Sequence, residues 1–252
     1  MLVSWPNTYI TPASTVAAPA PAPTTASPPP PAGPTNAASC KDVHIFIAKG
    51  NNEPYPGRQG TLVDAICNGL PSCDYENILY ENTLDIDYCV GVTQGSSNGL
   101  AQMSAYAATC PLSKLVVSGY SQGTDIIGNM LGGGGSVFGV QKCVEGYNPS
   151  LSPYTSPGNQ IGAALFFGNT RHVANQPYNY LNGSAWSSDN PRYPDSLANM
   201  NLFSDLIRDY CDETDPVCCT ESPGPFVIAN HLNYFDRYSN DAAAWVKTKL
   251  GF

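Results

Sequence analysis

The segment Leu115–Ile127, Leu-Val-Val-Ser-Gly-Tyr-Ser-Gln-Gly-Thr-Asp-Ile-Ile, constrains the fold more than any other part of the chain. It reads as an apolar strand, a Gly-x-Ser-x-Gly turn and the start of an apolar helix. So tight a turn leaves no room for a side chain at Gly119 or Gly123, and it lifts Ser121 to where its hydroxyl can meet a substrate carbonyl. The backbone N–H of Gln122, at the helix N-terminus, points where an oxyanion would form. Small residues also cluster in ordinary turns. The reading therefore rests on the strand before the motif and the helix after it.

The flanking sequence alternates in the same way. Strands are expected at Val43–Ala48, Glu76–Tyr80, Leu115–Ser118, Ile161–Phe167 and Leu206–Cys211. Helices are expected at Gly60–Cys67, Ser96–Thr109, with Ser97 near its cap, Asp125–Leu131 and Asp241–Leu250. Asn169–Asn201 is polar and aromatic and reads mostly as loop. Alternation of this kind gives an α/β fold: a three-layer α/β/α sandwich around a small parallel sheet of about five strands, without a large lid. Ligands of such sheets bind beyond the carboxyl ends of the strands. Gly50, Ser121, Asn169 and Cys211 all follow strand ends and should share one rim.

Composition narrows the function classes. Residues 1–39 carry no charge and hold nine prolines between Pro12 and Pro34, mixed with Ala, Thr and Ser. Such a stretch buries too little apolar surface to offset its ordering entropy and reads as an extended tether suited to O-glycosylation. Residues 40–252 are one domain's worth of chain. The net charge of −9 with only 11 Lys and Arg excludes a basic nucleic-acid surface. No run is long enough to span a membrane, and no basic-then-apolar leader follows Met1. All nine cysteines lie in the domain without paired C-x-x-C spacing, and there are only three histidines. No metal site is expected; a disulfide framework in an oxidising compartment is, with one thiol left over. Asn182-Gly183-Ser184 is a glycosylation sequon. A secreted monomer is the expectation.

A serine needs a base, and the base needs a carboxylate to fix its tautomer. In α/β-hydrolases the chain order is Ser, acid, His. Only His172 and His231 follow Ser121. His231, in a loop before the terminal helix with acids upstream, is the better candidate. Cys211-Asp212-Glu213-Thr214-Asp215-Pro216-Val217-Cys218 reads as a disulfide-closed loop able to hold a carboxylate against an imidazole. By spacing alone, Asp212 and Asp215 serve equally well.

Three stretches together resemble the cutinase family, which includes fungal cutinases and the related acetylxylan esterases of carbohydrate esterase family 5. They are Gly-Tyr-Ser-Gln-Gly, the Tyr210–Cys219 segment Tyr-Cys-Asp-x-x-Asp-Pro-x-Cys-Cys, and His231 ahead of a Tyr-rich stretch and a Trp-Val-Lys-x-Lys-Leu-Gly end. The resemblance covers about residues 40–252 and implies Ser121, Asp215 and His231 as the triad. It also matches Ala48-Lys49-Gly50-Asn51-Asn52-Glu53 to the family's first oxyanion loop. Asn51 there replaces the usual Ser or Thr, so the hole implied is the N–H groups of Asn51 and Gln122 without a bracing hydroxyl. Gly168-Asn169-Thr170 departs from the usual Gly-Asp-Pro. The resemblance implies bridges Cys40–Cys110 and Cys211–Cys218, and Cys143 as partner of Cys219. It leaves one bridge and one thiol among Cys67, Cys73 and Cys89.

These readings converge on a secreted serine esterase that needs no cofactor and acts on a polymeric or small ester of the plant cell wall. Acetylxylan-type deacetylation leads, and cutinase or short-chain lipid esterase is the alternative. A different class, an inactive polysaccharide-binding homologue, draws on Asn51 and the altered Gly168–Thr170 run.

Overall fold

The computed structural model describes residues 40–252; the Pro-rich segment read as a tether lies outside them. Strand β1 (Val43–Ala48) is buried along its whole length, as a strand covered on both faces must be. It pairs with β2 (Cys73–Asn77) on one side and β3 (Lys114–Tyr120) on the other, and β6 (Ile161–Phe167) and β8 (Ile207–Tyr210) extend the sheet beyond β3. The two-residue β7 (Asn179–Tyr180) forms the far edge. The order is β2-β1-β3-β6-β8-β7, and every pairing is parallel. A separate antiparallel pair, β4 (Val137–Phe138) and β5 (Cys143–Val144), lies after the elbow helix.

Side chains alternate across the sheet as the pleat requires. Val43, Ile45, Ile47 and Val116 face α1 (Gly60–Cys67) and α6 (Tyr234–Leu250). Phe46, Ala48, Leu115 and Val117 face α2 (Tyr88–Thr109) and α3 (Gln122–Gly132). The expected three-layer sandwich is therefore present, with six strands rather than five. The sixth, β7, lies inside the segment expected to be loop, as does helix α4 (Pro194–Met200). Two residues carry no readable period.

Two helices start about two turns earlier than the sequence patterns indicate. α2 starts at Tyr88, capped by the Asp87 carboxylate, which accepts from the N–H groups of Cys89 and Val90. Gly91, Gly95 and Gly99 weaken the helical pattern, yet the last two form a groove for α3. A Cβ at Gly95 would lie 2.4 Å from Ile126 Cδ1, and one at Gly99 2.5 Å from Met130 Sδ. α6 begins at Tyr234, where Tyr234 and Phe235 pack beneath the sheet.

Four disulfides are formed. Cys40–Cys110 and Cys211–Cys218 are two of them. The Cys143–Cys219 expectation is corrected. Cys143, on β5, bridges to Cys89 in the first turn of α2, and Cys67 bridges to Cys73 between α1 and β2. Cys219 is the free thiol, packed with Cys211 and Cys218 under Trp186. The α2 extension explains the change, because it carries Cys89 to the β4–β5 pair. Burial and the nearby Asp215 and Glu213 carboxylates push the Cys219 thiol up to about 12, so it stays protonated.

Candidate active site

Ser121 sits between β3 and α3 with φ 51° and ψ −120°, a left-handed conformation rare for a non-glycine residue. Its neighbours make this possible. A Cβ on Gly119 would meet the Gly123 carbonyl oxygen at 2.4 Å, and one on Gly123 would meet the Ala48 carbonyl oxygen at 1.9 Å. The second contact also seats the start of α3 directly on the end of β1, beside the turn that carries Asn51. The Ser121 N–H donates to Phe167 O at 2.9 Å, which ties the elbow to the end of β6.

His231 reaches this serine from a short helix, α5 (Ile228–Leu232), rather than from the expected loop. Its Nε2 is 3.0 Å from Ser121 Oγ, and its Nδ1 is 2.9 Å from Asp215 Oδ2. Asp215 is fully buried and takes two further donors: the Val217 N–H at 2.7 Å on Oδ1 and the Tyr234 hydroxyl at 2.7 Å on Oδ2. Burial and the Asp215 charge push the Tyr234 phenol well up, so it remains a donor. The acid loop and the His231 segment are joined by the Val227 N–H to Thr214 O bond at 2.8 Å. Tyr120, inside the elbow motif, donates its hydroxyl to His231 O at 3.0 Å. Gly168 must be glycine: a Cβ there would stand 2.7 Å from the His231 ring, and its φ is +59°.

The acid that spacing left open, Asp212, and the less favoured histidine, His172, are held elsewhere. Asp212 is bound by the Thr214 N–H and hydroxyl and by Arg237 Nη2 at 3.1 Å. Burial raises its carboxyl, but these hydrogen bonds outweigh burial and leave it below its usual value. His172 is fully buried and binds Asp209 Oδ2 through Nδ1 at 2.9 Å, while its Nε2 faces Asn179 Nδ2 at 3.3 Å. The departing residue Asn169 belongs to this second pair, donating to Asp209 Oδ2 at 2.7 Å.

The Asn51 turn is fixed from both sides. The Gly50 N–H donates to Glu53 Oε2 at 3.0 Å and the Asn52 N–H to Asn82 O at 2.7 Å; the Asn51 N–H lies between them. Asn82 also donates its Nδ2 to Gly50 O at 2.5 Å. Gln122 is the first residue of α3, so its N–H is one of the helix's unpaired donors. Its side chain is turned away, donating to Tyr88 O at 3.2 Å. Asn82, Tyr234 and Gly168 were not singled out for the site by the sequence. Only Gly168, a glycine ending a strand, left a readable signal. Exposed apolar side chains flank site residues along the chain: Leu84 and Ile86 follow Asn82, and Phe226 and Ile228 precede His231.

A family model described as Cutinase matches residues 39–250. The chain belongs to the cutinase family. It is a carboxylic ester hydrolase. Acetylxylan esterase 2 of Talaromyces purpureogenus is 30% identical over 221 residues, spanning 84% of this chain and 88% of its own. Cutinase 11 of Verticillium dahliae is 30% identical over 227 residues, spanning 87% of this chain and 72% of its own. The catalytic core domain of acetyl xylan esterase from Trichoderma reesei superposes with a TM-score of 0.69 at 26% identity, over 84% of this chain and all of that one.

Proposed function

We propose that this cutinase-family chain is a secreted serine esterase that deacetylates plant cell-wall polysaccharide. The carrying observation is the continuous relay from Asp215 through His231 to Ser121 Oγ. In the proposed reaction His231 Nε2 takes the Ser121 proton as Oγ attacks the ester carbonyl. The N–H groups of Asn51 and Gln122 hold the oxyanion. His231 then gives the proton to the departing alkoxide oxygen, leaving an acetyl-serine. A water, deprotonated by His231, attacks that ester; acetate leaves and Ser121 regains its proton. Asp215 keeps the imidazole in the tautomer with a bare Nε2 and stabilises the imidazolium.

Four disulfides support an oxidising, extracellular setting. The exposed Asn182 side chain is accessible to a glycan, and its Oδ1 meanwhile accepts the Glu213 N–H at 3.1 Å. A monomer acting on a polymeric ester is the working state. The exposed Leu84, Ile86, Phe226 and Ile228 favour a second reading, in which the same triad cleaves longer acyl chains as in cutinases. Hydrolysis of p-nitrophenyl acetate, butyrate and palmitate decides between the two: turnover confined to acetate supports deacetylation, and retained palmitate turnover replaces it with the second. Equal rates for the native chain and Ser121→Ala on acetate would make the chain a non-catalytic binder.

A further inference from the structure

α3 leaves the nucleophile and ends at a glycine run, Gly132–Gly135. At about 1.5 Å per residue, its 11 residues put that run roughly 16 Å from Ser121 along the helix. There the glycines floor an open cleft of about 510 Å³, a size typical of ligand sites and separate from the catalytic rim. The cleft is built rather than incidental. Its two walls are the segment after β5, with Tyr147 and Asn148, and helix α4, with Asp195, Ser196 and Asn199. Asn148 Nδ2 donates to Asn129 O at 2.7 Å, Ser196 Oγ to Gly133 O at 2.9 Å and Asn199 Nδ2 to Gly132 O at 3.2 Å. The last carbonyls of α3 are thereby capped by side chains of both walls.

The lining chemistry selects one ligand class. Tyr147 is 82% exposed and Tyr193 48%, large aromatic surfaces that the core does not use. No Lys, Arg or His lines the cleft, so an anion finds no countercharge. Asp195 and Asn199, four residues apart on α4, present acceptors on one face, and the Asn199 amide spends one of its two N–H donors on Gly132. With a single carboxylate the cleft is not a metal site. Phenol rings that offer flat apolar faces, beside acceptors waiting for hydroxyl donors, fit an uncharged polyhydroxylated chain. The glycine floor lets such a chain lie against the backbone.

The geometry points to a second, non-catalytic binding cleft for a neutral polysaccharide main chain, gripped by Tyr147 and Tyr193 at the far end of α3. This rests on the polymer-ester reading above, and the two are separable. The experiment uses the full chain with Ser121→Ala, run by affinity electrophoresis through gels containing de-esterified xylan, mannan or β-glucan. Retardation is expected in at least the xylan gel. Adding Tyr147→Ala and Tyr193→Ala weakens it about tenfold or more, and Tyr147→Ala alone, at a mostly exposed position, weakens it in part. In the active chain the same tyrosine variants leave kcat/KM on p-nitrophenyl acetate unchanged, which also reports that they are folded. They lower acetate release from dilute acetylated xylan. No retardation in any of the gels, or retardation unchanged by the double tyrosine variant, overturns the cleft. If the parent is retarded and the tyrosines matter, yet acetylated xylan releases no acetate, the cleft stands and the deacetylase reading falls.

Discussion

His231 and His172 each hold Nδ1 2.9 Å from Oδ2 of a buried aspartate, Asp215 in one case and Asp209 in the other. Both pairs are almost or wholly buried; Asp209 lies within β8 and Asp215 in the loop that follows it. They differ at the second ring nitrogen. His231 Nε2 faces a serine hydroxyl held in a strained turn; His172 Nε2 faces the Asn179 amide. An imidazole that meets an amide is offered only an N–H too weakly acidic to be taken. A His–Asp pair is therefore a general scaffold element, and the partner of the free nitrogen makes it chemical or structural.

Exchanging the roles gives the largest expected effect. His231→Ala removes the base and lowers kcat on p-nitrophenyl acetate by about ten-thousandfold or more, with Asp215→Ala of similar severity and Asp212→Ala mild. His172→Ala keeps kcat per folded molecule but leaves the buried Asp209 with Asn169 as its one side-chain donor and opens a cavity, costing about 2–4 kcal/mol of stability. Active-site titration alongside urea unfolding separates the two. A catalytic collapse in folded His172→Ala protein, with His231→Ala spared, would reverse the assignment.

The sequence made one pair legible and hid the other. The elbow could be read because a strand, two glycines and a helix flank Ser121, the pattern a nucleophile elbow needs. His231 followed because a serine needs a base. Asp215 did not follow from spacing, since Asp212 lies in the same loop; the choice depends on Tyr234, 19 residues away, closing over one carboxylate and not the other. The His172–Asp209 pair was invisible because β7, which supplies Asn179, is two residues long. The cysteine pairing failed for a related reason: Gly91 and Gly95 obscured the first two turns of α2, and with them the position of Cys89. Sheet and layers were readable because apolar periodicity sets them. Contacts set by single polar atoms across long separations were not.

An intermediate effect tests what distinguishes the surroundings of the two aspartates. Asp215 Oδ2 accepts from both His231 and Tyr234, whereas Asp209 Oδ2 accepts from His172 and Asn169. A phenol donor draws charge from the carboxylate. Tyr234→Phe therefore leaves Asp215 holding the imidazolium more firmly, so the acid limb of the kcat/KM profile moves to higher pH. The rate near neutrality falls by about tenfold, in keeping with a hydrogen bond to a charged group. A merely structural role for Tyr234 would lower stability and leave the limb in place, so the pH profile is the measurement that decides.

The smallest expected effect on catalysis belongs to the structural side. Arg171, next to His172, is fully buried between Asp125 and Glu145, with Arg192 and Asn129 completing the cluster. Burial first, then the Asp125 charge, pushes the Glu145 carboxyl up to about 7 despite Arg171. The folded state therefore holds a proton that the unfolded chain, titrating near 4.5, has released. Between those values the folded protein binds more protons, so this stabilisation is full below about pH 4.5, declines as pH rises and is gone above about 7. Glu145→Gln keeps the neutral shape at every pH and removes the slope. The difference in Tm between native and variant chains should drift against the native chain across that window by up to about 7–14 °C, corresponding to roughly 3 kcal/mol for a shift of that size. The pH profile of kcat/KM should be the same in both. A flat Tm difference would show that Arg171 keeps Glu145 ionised throughout, and a shifted kcat/KM profile would show that the structural cluster reaches the catalytic pair through α3.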